Sequence, residues 1–207
     1  MCTGKTALCE AHPGAKDLGA AAPVGEAAML DWNVVATVRE GRYQEGFRLL
    51  RRFGQAARTD YFNLVVLQAE DGRQLLDDLL EEGGRDPECL KALSSVVPVF
   101  LRFTFQTPED FEEKARQAVS EWLPQLWGKS FHLRMHRRGF KGKLSSLAEE
   151  QFLDHYLLQA LQAGGEPGRI SFDDPDVIIA LETIGPRAGL SLWKREELGR
   201  YPLLHLD

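Results

Sequence analysis

The chain has 207 residues, enough for two small units each with its own core. Hydrophobic residues at 43% and charged residues at 27% describe a globular chain, and no apolar run approaches the roughly 18 residues of a membrane span. A net charge of −6 argues against a general polycation, and an odd set of cysteines (Cys2, Cys9, Cys89) argues against a disulfide framework, so a reducing, cytoplasmic setting is expected.

Residues 1–28 are rich in Ala, Gly and Pro without a hydrophobic period, which predicts a disordered leader. They contain no basic region followed by an apolar core, so they do not read as a secretory signal. Cys2, Cys9 and His12 match no zinc spacing. Thr3-Gly4-Lys5-Thr6 looks like the end of a phosphate loop but lacks its first glycine and a preceding strand.

From Asp31 the pattern becomes regular. Trp32, Val34, Ala36 and Val38 alternate as in a strand, and Gly41 breaks the run. Tyr43 to Phe53 has helical spacing, ended by Gly54. Ala56 to Thr59 and Tyr61 to Leu67 read as strands. Arg73 to Glu82 reads as a helix with Leu75, Leu76, Leu79 and Leu80 inward, stopped by Gly83-Gly84. Val96 to Phe105 is a further β-rich run with Pro98 near its start. The order β-α-β-β-α-β predicts a ferredoxin-like unit.

Thr107-Pro108-Glu109-Asp110 then opens a helix, with a capping threonine, a proline at the first turn and two acids at the positive end of the dipole. In Ser130 to Arg138, Phe131, Leu133 and Met135 point one way, and His132, Arg134, His136 and Arg138 the other. Ser146-Leu147-Ala148-Glu149 is a capping box for a helix carrying Leu153, Leu157 and Leu161 inward. Gly164-Gly165 stops it. Ile170 to Phe172, Val177 to Glu182 and Leu190 to Trp193 are the last strands, with Asp173-Asp174-Pro175-Asp176 as a turn.

The charge is unevenly spread. Between Gly128 and Leu144 lie six cations (Lys129, Arg134, Arg137, Arg138, Lys141, Lys143) and no acid, which leaves −12 for the remainder of the chain. A basic strand face, a glycine-containing basic loop and a capped helix start follow one another, and each places positive potential where phosphates bind. Lys194 and Arg195, just past the final strand, are expected on the same surface. Arg48, Arg51 and Arg52 read as a solvated helix face.

The run Phe131-x-x-Arg134-x-x-Arg137-Arg138-x-x-Lys141, a capped helix, then Ile170-Ser171-Phe172-Asp173-Asp174-Pro175-Asp176 and the strand Val177 to Glu182 resembles a THUMP domain. Leu192-Trp193-Lys194-Arg195 with Tyr201-Pro202-Leu203, and in the front half Asp31-Trp32-Asn33-Val34-Val35-Ala36-Thr37 and Val96-Val97-Pro98-Val99, resemble its stand-alone adaptor branch, related to the eukaryotic partner of the tRNA cytidine acetyltransferase. The resemblance covers roughly Asp31 to Tyr201. It implies an α+β protein: a leader over 1–28, a ferredoxin-like domain over 29–105 and a THUMP domain over 106–207. It further implies a non-catalytic adaptor that holds tRNA, including its acceptor end, and presents it to a modifying enzyme such as an acetyltransferase. The RNA contacts it implies are Arg134, His136, Arg137, Arg138, Lys141 and Lys143, joined by Lys194 and Arg195, while Asp173, Asp174 and Asp176 serve the turn.

No catalytic, cofactor or metal residue is assigned. A methyltransferase needs a glycine-rich loop after a strand, which is absent here, and the close at Asp207 leaves no expected room for a catalytic domain. Two rivals from other classes are a metal-dependent RNA-processing enzyme using His132 and His136, and a protein-interaction scaffold. The two histidines would stand about 13 Å apart on an extended strand, too far for one ion.

Overall fold

The alternation after Trp32 resolves into β1, Val34–Val38, buried at every position but Thr37. The computed structural model describes residues 30–206, so the expected leader, with Cys2, Cys9, His12 and the Thr3–Thr6 string, lies outside the described residues. After β1 come α1 (Tyr43–Leu50), β2 (Gln55–Arg58), β3 (Leu64–Gln68), α2 (Gly72–Arg85), the short α3 (Pro87–Leu90) and β4 (Leu93–Pro98). The strands pair in the order β2-β3-β1-β4, each pair antiparallel. Leu49 and Leu50 of α1, and Leu75, Leu76 and Leu79 of α2, close a core over Val34, Ala36, Val38, Val65 and Leu67. Asp71 starts α2 by accepting from the amides of Arg73 and Gln74 at 2.7 and 3.0 Å.

Two expectations are corrected in this half. α2 does not stop at Gly83-Gly84 but runs to Arg85; a side chain at Gly83 would collide with Leu90 of α3, so that glycine allows a close approach instead of ending the helix. The run Val96 to Phe105 is not one strand. It splits into β4 and β5 (Leu101–Thr104), and β5 belongs to a second sheet. The switch is visible in adjacent amides: Val99 donates to Asn33 in the first half at 2.8 Å, and Phe100 to Leu190 in the second at 2.7 Å. Gly189 makes room for it, since a Cβ there would lie 2.6 Å from Val99 Cγ2.

The second sheet takes β6 (Ser130–Arg138), β7 (Arg169–Ile170), β8 (Val177–Ile184) and β9 (Arg187–Lys194), in the order β5-β9-β8-β6-β7. β6 runs parallel to β7 and β8, while β9 is antiparallel to β8 and β5. Helices α4 (Pro108–Ser120) and α6 (Ser146–Ala163) cover one face, packing Phe111, Ala115, Val119, Leu153, Leu157 and Leu161 on Phe131, Leu133, Val177, Ile179 and Leu181. Thr107 caps α4, accepting from the Asp110 amide at 3.2 Å. The short α5 (Leu123–Leu126) lies before β6 and α7 (Arg195–Arg200) after β9. Ile178, Ala180 and Trp193, on the opposite face, join the core of the first sheet together with Tyr201, Leu204 and Leu206 of the closing segment. The Val96 amide also donates to the Leu203 carbonyl at 2.8 Å, so that segment borders β4. Among the described residues no helix is long and apolar enough to cross a membrane.

Beyond Phe131, β6 pairs with no strand on its β7 side among the described residues, and helix α6 serves that edge instead. The Leu133 amide donates to Asp154 at 2.9 Å and the Met135 amide to Glu150 at 2.7 Å. Buried amides need such partners. Burial pushes the Asp154 carboxyl up to about 7, against the pull of the Leu133 amide and with the negative charge of Glu150 adding to the rise. In an unfolded chain the same group titrates near about 4. The folded protein therefore holds the extra proton between about pH 4 and 7, and stability falls as pH rises through that window. Asp154→Asn keeps an acceptor and removes the titration. Between about pH 5 and 8 it should lose roughly 2–3 kcal/mol less stability than the parent in urea unfolding; parallel pH profiles for the two proteins would contradict this account.

Candidate nucleic-acid interface

The face of β6 opposite α4 and α6 carries His132, Arg134, His136 and Arg138, as the alternation predicts, but it is not an open row of cations. His132 is 1% exposed. Its Nδ1 lies 2.8 Å from the Ser171 carbonyl and its ring centroid 5.3 Å from that of Phe172. Its Nε2 is buried without a partner among the described residues. His136 Nδ1 lies 2.8 Å from Glu182 Oε1, and Arg138 bonds the other oxygen of the same carboxylate. Glu182 stands on β8 directly across from His136 and is 1% exposed. An acid thus faces the basic strand from its neighbour, 44 residues from Arg138 in the chain. Counting charges along the strip could not find it; pairing the strip with β8 could have.

Arg137 lies at the end of β6 and donates to the Gly139 carbonyl. The Nε atoms of Arg134 and Arg137 are buried and have no partner among the described residues. The chain then turns through left-handed backbone at Gly139 (φ 103°), Phe140 (φ 50°) and Gly142 (φ 76°). A Cβ on Gly139 would stand 3.0 Å from both Gly185 Cα and the Tyr61 hydroxyl, so this position requires glycine for space as well as for backbone. Phe140 pins the loop inward, its ring centroid 4.7 Å from that of Phe105. Lys141 and Lys143 between them are exposed and make no ion pair among the described residues.

The loop leads into α6, but the expected cap moves by one residue. Ser145, not Ser146, accepts from the Ala148 amide at 3.4 Å. Glu149 does not close a capping box. It turns inward to 6% exposure, where burial first and the charge of Glu112 second push its carboxyl up to about 7.

Lys194 and Arg195 stand at the Lys129 end of the strip, away from Arg138 and the loop that follows it. Strand register sets Lys194 opposite Val177, which faces Phe131, whereas Arg138 faces Ile184 at the far end of β8. Seven residues of strand separate the two places, roughly 23 Å. Arg195 is also occupied, bonding Asp174 at 2.9 Å, Asp176 at 3.1 Å and the Pro175 carbonyl at 3.3 Å. Asp176 in turn accepts from the Ser130 amide and hydroxyl at 2.8 and 2.7 Å, which holds its carboxyl below the usual range. Among the described residues no group of three or more His, Cys, Asp or Glu side chains is placed to hold a metal ion.

Comparison with known proteins gives a partial match in sequence and a broader one in fold. No family model matches the chain. Over 94 residues it is 31% identical to the tRNA sulfurtransferase of Salmonella paratyphi B, a match covering 45% of this chain and 18% of that protein. The Salmonella newport enzyme matches to the same extent. Among solved structures, PH1313 from Pyrococcus horikoshii superposes with a TM-score of 0.54 at 11% identity, covering 78% of this chain and 54% of that one. TrmN from Thermus thermophilus gives 0.54 at 20% identity, over 77% of this chain and 44% of that one. The chain therefore spans only a part of each protein it matches, and the structural likeness is one of fold.

Glu182 is the electrostatic keystone of the strand face. Glu182→Gln leaves Arg138, 22% exposed, facing a neutral amide. The variant should lose about 1–3 kcal/mol in chemical unfolding with an unchanged denaturant slope; an unchanged midpoint would assign the pair no structural role.

Proposed function

We propose that this chain is a tRNA-holding adaptor without a catalytic centre of its own: a ferredoxin-like unit joined to a THUMP-type RNA-binding unit, acting in tRNA modification. The single observation that carries the reading is the loop from Arg137 to Lys143, whose backbone is pinned by Gly139 and Phe140 while Lys141 and Lys143 stand free in solvent. A fixed loop with unpaired cations offers phosphates a site at small entropic cost. The sequence match to a tRNA sulfurtransferase supports tRNA as the nucleic acid. In this reading the tRNA lies with its acceptor end at the loop, contacted by Arg134, Arg137, Lys141 and Lys143, and a separate modifying enzyme, such as a cytidine acetyltransferase, performs the chemistry. His136 and Arg138 line the site while serving Glu182, and Lys194 and Arg195 fall outside it. The unit boundary we propose lies at Val99–Phe100, where the chain changes sheets, earlier than residue 105.

The test is binding of labelled tRNA, with and without its 3′ end, across a salt series. Binding should need the 3′ end and weaken steeply with salt. Lys141→Ala with Lys143→Ala removes no ion pair among the described residues, so it should leave the melting temperature unchanged. It should also lower affinity about tenfold at moderate salt and flatten the salt slope by about one to two. An unaltered slope would remove the loop from the interface, and no binding to any tRNA would favour a protein-interaction scaffold.

A further inference from the structure

We infer that Phe62 is a stacking platform for an unpaired nucleobase of the RNA whose phosphates the Arg137–Lys143 loop holds; this rests on the RNA-binding reading above and adds a contact from the other half of the chain. Phe62 is 79% exposed, above every other large apolar side chain among the described residues. Isolated exposed apolar side chains are ordinary on protein surfaces, but the position of this one is not. The β2–β3 turn that carries it is held rigidly. The Thr59 hydroxyl donates to the Leu64 carbonyl at 3.0 Å and accepts from the Tyr61 amide at 3.2 Å. Asn63 adopts left-handed backbone at φ 54°, and its carbonyl accepts from the Val38 amide at 2.8 Å.

That turn is also seated on the basic loop. Tyr61 packs into the cluster of Trp32, Val35, Val66 and Ile184, and its hydroxyl meets Gly139. Phe62 is the next residue, so its exposed ring belongs to the turn that meets, through Tyr61 and Gly139, the loop carrying Lys141 and Lys143. An exposed aromatic ring on an ordered turn packed against a cation-bearing loop offers the combination that binds single strands: the cations neutralise the backbone, and the ring takes any base face with little dependence on sequence. Because the turn is already ordered, stacking loses little conformational freedom. The folded core makes no use of the ring, so its chemistry can be changed without unfolding the protein.

The experiment compares Phe62→Ala and Phe62→Trp with the parent on a fully paired RNA duplex and on the same duplex with a short single-stranded tail. Phe62→Ala should weaken binding of the tailed RNA about tenfold, leave the blunt duplex unaffected and keep the parent melting temperature. Phe62→Trp should restore tailed binding, with tryptophan fluorescence quenched by the tail beyond the change seen in the parent. Equal affinity of Phe62→Ala and parent for the tailed RNA overturns the inference, as does equal loss on both RNAs. If the parent binds neither RNA, the RNA-binding reading itself falls and this inference with it.

Discussion

Strand β8 is the piece of chain on which both halves lean. Every residue from Val177 to Ile184 is buried. Val177, Ile179 and Leu181 serve the helices on one side, Ile178 and Ala180 reach the core of the first sheet, and Ile184 reaches the cluster around Trp32. A strand buried on both faces reads as a continuous apolar run, and this one departs from that at Glu182 and Thr183. Both exceptions are spent on β6: the Glu182 carboxylate on His136 and Arg138, the Thr183 hydroxyl on the Arg138 amide at 3.1 Å. The same strand that joins the two cores therefore also fixes the basic face above it.

What could be read in advance follows from how local the cause is. β1, α2, α4 and the two faces of β6 were legible because periodicity and caps act within a few residues. The break at Val99–Phe100 was not, since nothing in Val96 to Phe105 except Pro98 interrupts the β pattern. The cause is a pair of hydrogen bonds to Asn33 and Leu190, distant in opposite directions. The cap at Ser145 was not legible either: Glu149, three residues after Ser146, is buried and does not return to the helix start. The basic strip was legible as composition but not as electrostatics. Glu182 and the Asp174–Asp176 turn lie outside it in sequence, and only the parallel pairing of β6 with β8 brings them opposite its two ends.

This sorting divides the cations by role. Arg138 and Arg195 are committed to carboxylates, and a substitution at either would mix folding with recognition. Lys141 and Lys143 make no ion pair among the described residues. The loop that presents them is shaped by contacts to both halves, through Gly139 against Tyr61 and Phe140 against Phe105. Its conformation therefore depends on the two halves being docked.

The closing segment sets an order on how that docking can come about. Tyr201, Leu204 and Leu206 complete a core that begins at Val34, and Leu203 lies beside Val96. On the ribosome the first sheet emerges long before these residues do, with its seat for Ile178, Trp193 and the closing segment still bare. N-terminal parts of proteins fold first during synthesis when they can bury their own surface, and exposed apolar surface in the interval invites aggregation or chaperones. Such distant contacts also slow folding, because the intervening chain must be ordered before they form. Synthesis of this protein thus includes an interval in which its first half is built but cannot yet be closed.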